Sequence, residues 1–481
     1  MSSTEMKRAY REFIIGLIAL AFVLICRPLR GNAQATAPCL SPRPAFATSP
    51  YDENYSFLKN EHCRTDLWDP LKYIPLNSSG RTFVSLGGQV RERYEFFDNY
   101  NWGQGPQSPH GYLLQRYMLH GDVHITPRFR VFGELKSGIE NGRTGGPRPI
   151  DEDQLDVHQA LIDIKPLEWS NGSLAVRAGR QELSFGSLRV VSVREGPNVR
   201  QSFDGFRMMI QAAKWRVDAF ATKPVETNPG ILDDSPDHAR SFWGVYGTTP
   251  ITAEGNLNID LYYFGLDRKN AAFNKGVATE ERHSVGTRLW GRPGPWDYNF
   301  EALFQWGSFG QGNIRAWTLA SDTGYTVQSW SVHPRVALKA DIASGDKNPA
   351  DRNLHTFSGL FPKGAYFSEA DLIGPANFID VHPDVSVPLT KSLILTTDTD
   401  FFWRQSVNDG IYGIALNLLR RGQSNRERYI GNHVSAEMEF RLDRHTTFVW
   451  EYLHFFAGPF LTQSPPGKNI NYVTGWAVYK F

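Results

Sequence analysis

The sequence predicts an all-β protein, a transmembrane antiparallel β-barrel of 16–18 strands. Three observations lead there. Apolar and polar residues alternate with period two from about residue 82 onwards. The composition is rich in aromatics and glycine, with 13 Trp, 19 Tyr, 31 Phe and 43 Gly. The chain also stops on Phe481, after a strand-like "YVTGWAVYKF".

Ahead of the strands stands a leader. Lys7, Arg8 and Arg11 precede an apolar run from Phe13 to Cys26, shorter than the roughly 20 residues a spanning helix requires. Ala33 and Ala35 in "GNAQA" make a small-residue cleavage site, so residues 1–35 read as a secretory signal peptide removed after Ala35. Arg27 and Arg30 leave an uncleaved anchor as the alternative. The leader takes five basic and two acidic residues from totals of 51 and 50, leaving a net charge of −2 and no electrostatic case for nucleic acid. Residues 36–80 form an N-terminal periplasmic segment containing Cys39 and Cys63, which can pair in an oxidising compartment or stay as buried thiols.

Residues 81–481 are the barrel. In "VSLGGQVRERYEF", Val84, Leu86, Val90, Tyr94 and Phe96 share one face, and Ser85, Gln89, Arg91, Arg93 and Glu95 share the other. Tyr117, Leu119, Val123 and Ile125 oppose His120, Asp122 and His124. The same alternation recurs at 257–263, 335–342 and 433–443. A soluble sandwich also alternates, but many of these segments approach the ten residues that a tilted strand needs to cross the hydrocarbon layer. Tight turns such as "TPR" (126–128) and "DRH" (443–445) contrast with long polar stretches such as 344–392. Short turns on one side and long loops on the other is the outer-membrane pattern. A barrel of this size encloses an aqueous lumen, so the polar faces should line a channel.

The motifs then point to a family. "DPLKYIPL", "SLGGQVRERYE", "AGRQELSFGSLRVV", "NVRQSFDGFR", "TFSGLFPKGAYF", "GPANFID", "FFWRQSVNDGIYG", "YIGNHVSAEMEFRL" and "YLHFFAGPFL" occur in order over residues 66–481. Together they resemble the alginate export porins of the bacterial outer membrane. The resemblance implies eighteen strands and an electropositive lumen that passes an anionic polysaccharide. It also implies partial occlusion by an extracellular loop and a periplasmic turn. It leaves residues 36–65 without a role.

The arginines fit this expectation, because each uronate carboxylate can take a two-pronged hydrogen bond from a guanidinium. Arg91, Arg93 and Arg177 have lumen parity. Arg180 has the opposite parity unless the strand is distorted at Gly179. Arg189, Arg194 and Arg200 are expected in a loop folded into the pore, Arg207 beyond it, and Arg404 and Arg441 elsewhere on the wall. Glu182, Glu195 and Asp204 would temper these cations so that the polymer is released. The competing reading pairs each arginine with a neighbouring acid and leaves it no contact with substrate.

Weaker signals are also present. His120, Asp122 and His124 could hold a metal, though a hydrated wall explains them as well. Asp346 to Asn353 is spaced like a calcium loop without its bidentate Glu. No nucleotide, metal or cofactor motif and no catalytic residue set is identified. The expected function is a passive, anion-selective outer-membrane channel for alginate or a similar polyuronate. A general anion or oligosaccharide porin is the alternative, followed by a barrel-embedded enzyme or surface-binding protein. Expected partners are the polysaccharide, outer-membrane lipid and lipopolysaccharide, the barrel assembly machinery through Phe481, and periplasmic export components, with the chain a monomer.

Overall fold

The computed structural model describes Cys39 and residues 43–481. The leader and its cleavage site lie outside the described residues. Eighteen strands form the wall. Its first quarter is β1 (Phe83–Asp98), β2 (Tyr112–Thr126), β3 (Phe129–Asn141), β4 (Asp153–Trp169) and β5 (Gly172–Gln181). There follow β6 (Phe203–Ala212), β7 (Trp215–Glu226), β8 (Arg240–Pro250) and β9 (Leu257–Phe273). The far wall is β10 (Gly276–Gly291), β11 (Trp296–Phe309), β12 (Gly312–Thr326), β13 (Arg335–Ala343) and β14 (Phe378–Pro388). The last strands are β15 (Leu393–Trp403), β16 (Tyr429–Arg441), β17 (Thr446–Ala457) and β18 (Ile470–Lys480). Each pairs antiparallel with the next, and β18 returns to β1, from Gln89 opposite Lys480 to Asp98 opposite Asn471. Closure leaves the wall without a free edge.

The connections are unequal. Two residues join β2 to β3, β4 to β5 and β6 to β7, and four join β16 to β17. At the opposite end the loops 182–202, 344–377 and 404–428 are long. Short turns mark the periplasmic end of such barrels. The "TPR" and "DRH" turns fall where the sequence puts them. The stretch 344–392 does not stay a loop throughout, because Phe378–Pro388 is a strand. Its inward residues are Asp380, His382 and Asp384, and Pro383 interrupts the hydrogen-bond ladder to β15, which has no pair for His382 or Pro383. A proline amid polar residues hid the strand.

Sidedness is inside-out. On β1 the buried residues include the polar Ser85, Gln89, Arg91, Arg93 and Glu95 as well as Phe83 and Phe97, while Leu119, Ile162, Phe206, Leu261 and Leu319 on other strands are exposed to the lipid side. The lumen differs from the water-filled interior expected of so many strands. Phe203, Phe220, Phe242 and Phe264 point inward and pack with Val191, Leu360 and Phe361 from the two long loops. Those loops are stitched together: the Phe361 N–H donates to Val190 O (2.9 Å) and the Ser192 N–H to Phe361 O (2.8 Å).

The periplasmic end is also occupied, and not by a turn. The longest periplasmic turn, 327–334, is mainly exposed and bonded within itself. Instead the segment before β1 enters the mouth, with Cys39 and Cys63 joined by a disulfide at its base. Tyr51 packs with Phe132 and Leu161 on the inner wall. Trp68 Nε1 donates to the Tyr479 hydroxyl (2.7 Å), and Lys72 Nζ to Phe481 O (2.9 Å).

Candidate functional site: an arginine cluster in the lumen

Loop 182–202 leaves β5 and folds back into the barrel. Asn198 secures it there, its Nδ2 donating to the carbonyls of Gln115 (3.0 Å) and Ile139 (3.3 Å) on the wall and of Asp151 (2.8 Å) just before β4. This anchor brings Glu195 to three guanidiniums. Arg91 donates to its main-chain oxygen at 2.9 Å. Arg116 donates to the same oxygen (3.1 Å) and also to the Glu195 carboxylate. Arg200 lies 3.2 Å from that carboxylate. Burial alone would raise the Glu195 pKa, but Arg116, Arg200 and Arg91 outweigh it and hold the carboxyl well below the usual range. Arg116 and Arg200 thus hold the Glu195 carboxylate while Arg91 and Arg116 share its main-chain oxygen.

Below it, Glu182 joins the loop to the N-terminal segment. Its carboxylate accepts from Ser49 Oγ (2.5 Å) and lies 2.8 Å from both Arg200 and His158 Nε2. Arg200 also donates to Thr48 O (2.7 Å). Burial raises the Glu182 pKa, and Arg200, His158 and Ser49 together more than reverse this. Loop and N-terminal segment therefore meet inside the barrel through one acid and one base.

The other expected residues are placed as follows. Arg93 faces the lumen, bound to Glu95 (2.7 Å), Glu369 (2.8 Å) and the Tyr472 hydroxyl (2.8 Å). Arg177 makes a two-pronged pair with Asp163 (2.6 and 2.7 Å) beneath the Tyr51 ring. Arg207 pairs with Asp218 (2.8 Å). Gly179 does take a positive φ, +123°, yet the register runs through it unbroken. Arg180 therefore stays opposite Ala160 and Asp204, and binds Asp204 (3.0 Å) and the Val157 carbonyl (3.0 Å).

Arg189 reaches Asp341 (3.5 Å) and Glu301 (3.6 Å) at a cavity that Lys339 and Lys363 also line. Burial pushes the Lys363 ammonium down to about 8, with Lys339 and Arg189 adding to the effect. Arg194 makes no ion pair among the described residues and lies over Phe361; burial lowers its pKa to about 10. Arg441 sits exposed at the periplasmic rim beside Glu439. Arg404 does not line the lumen in this state. It stands just past β15 and donates to the carbonyls of Val407, Asp409, Gly422, Asn425 and Glu427, holding loop 404–428.

Arg116 was the missed member of the central cluster. Parity could have found it, since it alternates with Tyr117 and Leu119 on the lipid face. His120, Asp122 and His124 do not converge: Asp122 is taken by Arg130 (2.6 Å) and His124 (2.9 Å), and His120 lies by Glu134. In the Asp346–Asn353 loop, Lys275 Nζ lies 2.8 Å from Asp346 and 2.9 Å from Asp351, so an ammonium stands where a calcium ion would.

A closed eighteen-stranded barrel with short turns, long inward loops and a lipid-facing apolar band is an outer-membrane channel of the porin type. The chain belongs to the alginate export family, whose profile matches residues 82–475. No curated protein matches it. Among solved structures it is similar to three Pseudomonas aeruginosa channels. OccD3 is 12% identical, with 83% of this chain and 91% of that one covered and a TM-score of 0.58. OccK2, solved with glucuronate, is 11% identical over 83% and 98%, with a TM-score of 0.54. OpdK, solved with vanillate, is 10% identical over 83% and 98%, with a TM-score of 0.57. At such identities the likeness carries the fold alone.

Proposed function

We propose that the protein is a passive, anion-selective conduit that exports a polyuronate such as alginate across the outer membrane. One observation carries the reading: three guanidiniums converge on Glu195, Arg116 and Arg200 at its carboxylate and Arg91 at its main-chain oxygen, and the carboxylate occupies the place a uronate carboxylate would take. Passage then proceeds by exchange, the polymer's carboxylates displacing Glu195 and releasing loop 182–202. Because each arginine already has a protein partner, substrate contacts are net weak, as conduction requires. Arg93, Arg177, Arg189, Arg194 and Arg207 extend the positive lining. Assembly through Phe481 and a monomeric state complete the proposal.

A second reading is a porin for small carboxylates. The glucuronate and vanillate in the structures of OccK2 and OpdK favour it, each a single-carboxylate solute in a barrel of this architecture.

A planar-bilayer recording of the refolded protein under a KCl gradient tests both. The polyuronate reading expects anion selectivity that falls in Arg91→Ala and Arg116→Ala, with current block by polyuronate at lower concentration than by glucuronate. Equal block per carboxylate by monomer and polymer selects the porin. Cation selectivity sinks both.

A further inference from the structure

A second cluster lies on the neighbouring stretch of wall, across the β18–β1 seam from the strands that carry Arg91 and Arg116. On β14, β15 and β16 the inward residues His382, Asp400 and His433 are all buried, and one ligand atom from each lies within 4.8 Å of the others. Asp400 and His433 are directly opposed across strands. Asp398 lies beside the group, 3.0 Å from His433 Nε2 and 3.3 Å from His382 Nε2, while the other ring nitrogen of His382, Nδ1, lies 3.2 Å from Asp400. Bonds of about 2.0–2.1 Å in a tetrahedral site give donor separations of this size.

The charge balance sets this cluster apart from the other acidic groups of the lumen. The Asp153–Asp156–Asp234 group holds Lys136 at 2.7 Å from two of its members, and Glu182 has Arg200. Asp400 has neither. It is fully buried, and neither of its oxygens accepts a hydrogen bond among the described residues. Lys339 is spent on Asp384. A buried carboxylate without a Lys or Arg partner is costly, and the groups that face Asp400 are imidazoles, with His382 Nδ1 at 3.2 Å. The cluster also sits where Pro383 breaks the β14–β15 ladder, so a bound ion would cross-link the strands at their weakest pairing. His382 opens onto the lumen cavity of about 90 Å³, which supplies an entry path.

We propose that His382, His433 and Asp400 bind one divalent transition-metal ion of the zinc class, leaving the fourth position to solvent from the lumen. Two imidazoles with one carboxylate are donors suited to zinc over calcium or magnesium. The rival occupant is a proton, with His382 an imidazolium bridging Asp398 and Asp400.

The test uses the refolded full barrel, stripped with chelator, equilibrated with Zn²⁺ and passed through gel filtration before metal analysis. One equivalent of zinc should remain, and the Co²⁺-substituted protein should show the visible absorption of tetrahedral cobalt. His382→Gln, His433→Gln and Asp400→Asn should each weaken zinc by at least about 100-fold, with the barrel's heat-modifiable gel shift confirming the fold. Zinc retained equally by the His382→Gln/His433→Gln protein, or no zinc retained by the wild type, overturns the site in favour of the proton-bridged network. Displacement of zinc by excess Ca²⁺ also overturns it.

Discussion

Replacing Glu195 by Gln isolates the latch on the arginine cluster. The contacts that Arg91 and Arg116 make with the Glu195 main-chain oxygen survive the change; what is lost is the pairing of its carboxylate with Arg116 and Arg200. A hydrogen bond to a charged group is worth roughly 1.5–3 kcal/mol. The Glu195 side chain is 45% exposed, and solvent screening lowers the ionic part. About 1–2 kcal/mol remains, a factor of about 5–30 in an equilibrium. If loop 182–202 must release these pairs to open, Glu195→Gln should raise open probability or the polyuronate on-rate by that factor. It should also increase anion over cation permeability, because the lumen gains one net positive charge. Single-channel recording at fixed salt reads both. Unchanged gating together with unchanged polymer block would refute the exchange mechanism, since the internal carboxylate would then compete with nothing.

Further outcomes are expected. Deleting residues 36–65 removes the plug contacts of Ser49 and Tyr51 but no barrel strand, so the protein should still refold and show larger conductance; unchanged conductance would show the mouth is open around the segment. Between pH 7 and 9 anion selectivity should fall, because Lys363, depressed to about 8 mainly by burial, loses its proton. Asp371, raised to about 8 by burial and by Glu369, loses its own in the same window. The first removes a positive charge from loop 344–377 and the second adds a negative one, and Lys363→Met should leave only the Asp371 step. The stability signs differ. The depressed lysine makes stability rise with pH from about 8 to 10.5, and the raised aspartate makes it fall from about 4 to 8. Arg404→Ala should free loop 404–428 to proteolysis at a cost of about 3 kcal/mol or more as buried carbonyls lose their donor, with ion selectivity unchanged. Arg404→Lys should rescue it poorly, one ammonium being unable to reach five carbonyls.

Much of the wall was legible because a lipid-facing strand leaves a strict period-two signature, as at Val84–Phe96 and Leu119–Ile125. The closing strand was legible for the same reason. The lumen was harder. Phe220, Phe242 and Phe264 face inward, where alternation alone assigns polar residues, and their partners Val191 and Phe361 come from loops distant in sequence. Parity assigns Arg91, Arg93 and Arg177 to the polar face of their strands, and the same rule assigns Arg116; all four are buried. It said nothing of Arg404, whose carbonyl partners come from a loop conformation that sequence spacing does not encode. The role of residues 43–80 was invisible because its contacts, such as Trp68 with Tyr479, join opposite ends of the chain.

That last pairing bears on the order in which the molecule can be made. Gln89 waits for Lys480, so throughout synthesis and export the first strand has one row of amides and carbonyls without a neighbour. Such an edge is a template for aggregation, and contacts so distant in sequence repay their closure entropy only at the end. Losing the final strand would leave an open sheet with two raw edges, not a slightly smaller cylinder. Lys72 and Trp68 can find Phe481 and Tyr479 only once the seam has closed, so the seated N-terminal segment is itself the sign of a finished barrel.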